Sequence, residues 1–231
     1  MPDSANQRLI ITHAVLTGLT PLIPVPIVDD LVKSYFQRRL VRQLTHAYAI
    51  IQGEQDIVTL ADDPSSGCVA GCLGGALLLP FKLIFRKVFF FLEWKRAVDT
   101  VSRTLHQGYL LDCAIKEGWF PGQRNALELR AAIDAVCREV GTGPVERAVS
   151  LTFNQSKSTL KSAANLLKRS LKTVSGKPDA ERVALAAEAV EAEEEREIEG
   201  VINKLQNSLQ RLPKEYFDNL RTRMAAALRL G

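Results

Sequence analysis

The sequence predicts an all-α fold, a multi-helix bundle of helical hairpins that closes with a C-terminal antiparallel helix pair. Apolar residues recur every three to four positions through most of the chain, the spacing of one helical face. Aromatic residues are only 6% of the 231, while Leu, Ala, Lys, Arg and Glu abound, which favours helix over sheet. The breakers cluster in short connectors, EGWFPG, GTGP and SGKPD, between the periodic stretches. A chain of this length buries a sizeable core without a disulfide framework or a metal.

The first element begins in an apolar run. From Leu9 to Val28 there are 20 residues without a formal charge, counting His13 as neutral, nominally the length of a membrane span. Pro21, Pro24 and Pro26 each remove a backbone N–H and push the preceding residue away from helical geometry. A helix therefore stops near Thr20 and is too short to cross a bilayer. A second helix follows, with Ile27/Val28, Leu31/Val32, Tyr35/Phe36, Leu40/Val41 and Leu44 on one face. Asp29 and Asp30 stand in its first turn, and Arg38, Arg39 and Arg42 lie further along, as the helix dipole prefers. Residues 9 to 50 read as helix, proline elbow, helix, with the two apolar faces stacked.

A polar connector leads to a second charge-free run, Pro64 to Phe81, containing Gly67, Gly71, Gly74 and Gly75. Small residues at that density permit close helix approach in a membrane but weaken a helix in water. The run ends in KLIFRKVFFFLEWKRAVD, where bases interrupt phenylalanines and Trp94 precedes Lys95 and Arg96. Aromatic rings beside long basic side chains suit the headgroup boundary. Arg38, Arg39, Arg42, Lys82, Arg86, Lys87, Trp94, Lys95 and Arg96 thus form the expected lipid surface.

A helix from near Phe81 to Glu117 places Val98, Val101, Leu105 and Tyr109 inward and the pairs Lys95/Asp99, Asp99/Arg103 and Asp112/Lys116 outward. Further helices are expected over about 123–140, 144–174 and 179–212, with a short last one carrying Tyr216, Phe217, Leu220 and Leu228. The chain divides into an apolar-rich region, 1–140, and a helical hairpin arm, 141–231, the two being compatible with one continuous domain.

The formal charge of +4 hides a strong asymmetry. Residues 157 to 177 carry six bases and no acid, whereas 178 to 200 carry nine acids against two arginines. Folded as a hairpin, these stretches bring Lys172 to Glu181, Lys168 to Glu188, Lys161 to Glu194 and Lys157 to Glu197. Exposed pairs of this kind direct pairing more than they stabilise, at about 0.2 to 1 kcal/mol each. Phe153 is the only aromatic residue near the basic stretch, so nucleic acid is disfavoured as a partner.

The stretch PLIPVPIVDDLVKSYFQRRLVRQLTHAYAI resembles the signature of bacterial EcsC-like proteins and of the related helical domain in YcjF-like inner-membrane proteins. The matching positions are Ile23, Pro24, Pro26, Asp29, Gln37, Arg38 and Tyr48, mainly within residues 19–50. The resemblance implies a helical, membrane-associated protein and supplies no catalytic residue. TVSGKPD lacks both the upstream glycine and the following Ser/Thr of a phosphate loop.

Cys68 and Cys72 lie four apart, but Cys113 and Cys137 are isolated, so small-residue packing is favoured over a metal site. His13, His46 and His106 show no ligand spacing, and Asp29/Asp30 and Asp62/Asp63 stand where helices begin or turns form. No catalytic, cofactor-binding or metal residue is assigned. The expectation is a non-enzymatic, membrane-associated scaffold or partner-binding module on the cytoplasmic face of a membrane. Its partners would be lipid, another protein or a second copy of the chain. The alternative is a soluble helical bundle holding a hydrophobic ligand or lipid.

Overall fold

The computed structural model describes residues 4–23, 28–62, 86–141, 143–173 and 179–229. These residues are helical with no strand among them, so the expected all-α class is the observed one. The elements are α1 (Ser4–Leu19), a 3-10 turn (Thr20–Leu22), α2 (Val28–Ala47), α3 (Glu54–Ala61) and α4 (Arg86–Lys116). A π-type turn (Trp119–Gln123) leads to α5 (Ala126–Val140), α6 (Gly143–Gln155), α7 (Lys157–Thr173), α8 (Asp179–Gln210) and α9 (Lys214–Arg229).

The first apolar run forms the centre of the bundle. Ile10, Ile11, His13, Ala14, Val15, Leu16, Thr17 and Leu19 are all buried, and α1 packs against α2, α4 and α8. A helix that is apolar all round finds its stable place inside protein or inside lipid, and here other helices cover it. The buried threonines at its C-terminal end turn back on the local backbone: Thr17 Oγ1 donates to the His13 carbonyl at 2.6 Å and Thr20 Oγ1 to the Thr17 carbonyl at 2.8 Å. The proline elbow begins as expected, with Pro21 in the 3-10 turn that closes α1. Pro24 and Pro26 lie outside the described residues, as do Lys82 and the run from Pro64 to Phe81. The expected stacking of α1 on α2 is present, and Asn6 near the start of α1 reaches Tyr48 just beyond α2 with a 2.9 Å bond.

Two glycines set how closely α1 lies on α4. A Cβ at Gly18 would stand 2.1 Å from Val101 Cγ2, and one at Gly108 would stand 2.7 Å from Ile10 Cγ2. The pairing of 18 with 101 and of 10 with 108 makes the helices antiparallel. At the end of α2 the chain turns through Ala49 at φ 54, with Ala49 N–H donating to the His46 carbonyl and Ile50 N–H to the Thr45 carbonyl, both at 2.9 Å. This is the Schellman pattern, with alanine in the left-handed position that glycine usually fills.

Further along, α5 opens with a capping box in which Asn125 accepts from the Glu128 N–H and Glu128 from the Asn125 N–H. The single helix expected over 144–174 is two, α6 and α7, broken at Ser156, whose N–H donates to the Phe153 carbonyl at 3.1 Å. The antiparallel pair α7 and α8 forms, but it does not stand apart as an arm. The helix α8 packs on α1 and α2, and α9 folds back onto α5 and α4.

Candidate functional site

A buried carboxylate ties three helices together at one end of the bundle. Asp112 on α4 is fully buried, where the sequence pattern had put it outside with Lys116. Its Oδ1 accepts from Tyr48 Oη at 2.7 Å and from Asn6 Nδ2 at 2.8 Å, while Lys116 Nζ stands 3.1 Å from Oδ2. Two hydrogen bonds solvate Oδ1 and the Lys116 charge stands beside Oδ2, which has no hydrogen-bond partner, so the charge that burial strips of water is offset by two donors and one ion pair. None of the main cavities among the described residues is lined by Asp112, so the group joins the ends of α1, α2 and α4 and offers no space to a ligand.

A second buried polar group holds α9. His106 Nδ1 lies 2.6 Å from the Ser102 carbonyl, its Nε2 meets Tyr216 Oη, and Tyr109 Oη donates to the Phe217 carbonyl at 3.2 Å. Burial lowers the His106 pKa and pushes that of Tyr216 up to about 12, so the imidazole is neutral and the phenol protonated at neutral pH. The adjoining cavity, lined by Gln7, Ile10, Ile11, Leu105, Tyr109 and Leu209 among others, holds about 30 Å³. A water needs roughly 10–15 Å³ on such a measure, so the space fits a water or two and not an acyl chain.

The residues expected at a lipid surface separate into three groups. Arg38 donates through Nε to Asp62 at 3.0 Å, Arg42 lies 2.5 Å from Glu54, and Arg39 donates to Tyr35 Oη at 2.8 Å. The first two cations staple α3 onto α2, an intramolecular use of charges read from the sequence as headgroup contacts. Trp94 is also engaged: it is 7% exposed, packs on Phe153 at 5.8 Å and donates through Nε1 to Asn154 at 3.1 Å. It is therefore a core residue and not an interfacial anchor, because α6 covers the face on which it stands.

Lys95 and Arg96 remain at the surface. One turn earlier Phe91 is 66% and Leu92 48% exposed. Phe91 and Lys95 share one i,i+4 row and Leu92 and Arg96 the next, so two apolar side chains and two cations form one outward face near the start of α4. The side chains of Arg86 and Lys87 lie outside the described residues.

In the α7–α8 pair, Lys157 and Lys161 are exposed and Lys168 half-buried, while the side chains of Lys172, Glu181, Glu188, Glu194 and Glu197 lie outside the described residues. The Lys157 ammonium sits 5.2 Å from the centre of the Trp94 ring, a cation–π contact that directs it towards α4.

Burial pushes the Cys137 thiol up to about 11 and also raises that of Cys113, the opposite of an activated thiolate. Cys68 and Cys72 lie outside the described residues. No helix among the described residues is long and apolar enough to cross a membrane. Comparison with protein-family models, curated proteins and solved structures finds no match to this chain.

Proposed function

We propose that this protein is a non-enzymatic, membrane-associated helical scaffold or partner-binding module, attached peripherally on the cytoplasmic face through the N-terminal end of α4. The observation that carries the reading is the exposure of Phe91 at 66% and Leu92 at 48% on rows that continue into Lys95 and Arg96. Exposed large apolar side chains beside long cations have an energetic use at a headgroup boundary, where the rings enter the acyl region and the ammonium and guanidinium groups stay hydrated. In sequence the same helix follows the charge-free, glycine-rich run from Pro64 to Phe81. The EcsC-like and YcjF-like resemblance of residues 19–50 belongs with this proposal, since those families are membrane-associated. The cavity beside His106, about 30 Å³, has no room for the hydrophobic ligand of the alternative reading, which would have to use the cleft of about 400 Å³ between α5 and α9, lined by Ala131, Ala132, Ala135, Ala227 and Leu228 among others.

Vesicle sedimentation tests the reading. The full chain should pellet with vesicles and resist a moderate salt wash, and Phe91→Asp with Leu92→Asp should release it while leaving the helical circular dichroism unchanged. Failure of the unaltered protein to pellet, or pelleting untouched by the double substitution, would overturn the reading.

A further inference from the structure

A buried helical hydroxyl can satisfy itself on the carbonyl one turn earlier. Thr17, Thr45 and Ser102 do so, with bonds of 2.6, 3.0 and 2.8 Å to the His13, Val41 and Val98 carbonyls. Thr104 on α4 does not. It is 1% exposed, and its Oγ1 has no hydrogen-bond partner among the described residues. A buried polar group in that condition is costly unless something donates to it or accepts from it. Thr104 lines a cavity of about 20 Å³ where α2, α3, α4 and α5 meet. Two further polar side chains line the same space, Gln37 of α2 and Gln107 of α4, against apolar walls that include Leu40, Leu111 and Ile133. On the α3 side the Leu60 and Ala61 carbonyls already accept from Arg130 Nη1, at 2.7 and 3.4 Å. The unmet polar capacity therefore lies between α2 and α4.

A water needs roughly 10–15 Å³ on this measure and two to four polar partners. The cavity has room for one, and three polar side chains surround it. A path in also exists, because Gln37 lines both this cavity and an outer cleft of about 270 Å³ with Lys33, Asp99, Thr100 and Arg103, of which Asp99 and Arg103 are exposed. We propose that the cavity is a hydration site, in which one ordered water is held by Thr104 Oγ1 and the side-chain amides of Gln37 and Gln107 and joins α2 to α4. Gln37 is the side chain past which that water enters. The site is independent of the membrane reading.

Two measurements on the full chain test it. A crystal structure at a resolution that shows ordered water should place one density peak within hydrogen-bond distance of Thr104 Oγ1 and of the Gln37 or Gln107 amide. Thr104→Val keeps the side-chain volume and removes only the hydroxyl, so its effect has a sign that depends on the water. With the water in place the substitution takes away one of its partners, and the urea midpoint should fall at unchanged m. In a dry cavity it removes an orphaned hydroxyl, and the midpoint should rise. Gln37→Met removes a second partner of the same water, so its loss and that of Thr104→Val should sum to more than the loss in the double variant. A cavity without density, a Thr104 hydroxyl turned onto the Thr100 carbonyl, an unmoved or raised midpoint in Thr104→Val, or losses that simply add would each overturn the hydration site.

Discussion

Gly18→Ala should destabilise this protein even though alanine is the better helix former. The added Cβ would stand 2.1 Å from Val101 Cγ2, 3.3 Å from the Ala97 carbonyl oxygen and 3.5 Å from the Phe153 ring. Val101 is β-branched and held to one rotamer in a helix, so its methyl cannot swing aside cheaply. Either Val101 leaves its rotamer or α1 lifts from α4, and overpacking of this kind costs about 1–3 kcal/mol. The helix-propensity gain recovers about 1 kcal/mol, leaving a net loss of about 0–2 kcal/mol. Gly200, inside α8, supplies the control: a methyl group added there would meet nothing within 4 Å, so Gly200→Ala should stabilise by about 1 kcal/mol. Urea unfolding at constant m reads both, as midpoints moving in opposite directions. Adding Val101→Ala to Gly18→Ala should relieve part of the clash and yield a favourable coupling. If Gly18→Ala stabilises as much as Gly200→Ala, the close α1–α4 crossing is wrong.

Two further outcomes follow from single residues. Burial and the nearby Arg39 lower the His13 pKa from 6.5 to about 4, burial being the larger cause. The unfolded chain therefore binds a proton in that window that the folded chain does not. Stability should fall by about 3 kcal/mol as pH drops from 6.5 to 4, with His106 acting in the same direction, and His13→Leu should flatten the midpoint-against-pH curve; an unchanged slope would contradict the burial of a neutral imidazole. Ala49→Gly should raise the thermal midpoint by the equivalent of about 0.5–1 kcal/mol, because glycine adopts φ 54 without the Cβ strain of alanine, and a lowered midpoint would rule out that turn.

Most helix positions were legible in the sequence because periodicity and breakers are local signals; the exceptions are α3, which lies in a stretch that reads as a polar connector, and the break between α6 and α7. The α2 boundaries, the stop of α5 at Val140 and the end of α8 before Pro213 all follow from them. What the arginines contact was not legible. Arg38 and Arg42 look like headgroup ligands along one helix, and only the return of α3 brings Asp62 and Glu54 against them. Trp94 reads as interfacial beside Lys95 and Arg96, but α6, some 60 residues later, covers it. Asp112 illustrates the converse: an i,i+4 partner at Lys116 suggests an exposed pair, and its burial depends on Asn6 and Tyr48 arriving from distant sequence. The first apolar run has span-like composition in either setting, and its role is decided by the helices that cover it.

The central claim is that this run is protein core and that membrane contact falls at the start of α4. Amide hydrogen exchange with and without phosphatidylserine-containing vesicles tests it most directly. Amides of α1 should be among the slowest to exchange in the free protein and unchanged by vesicles, while added protection appears around residues 91–96. Rapid exchange in α1 without vesicles, converted to protection when they are added, would contradict the account and make α1 the membrane-seeking element.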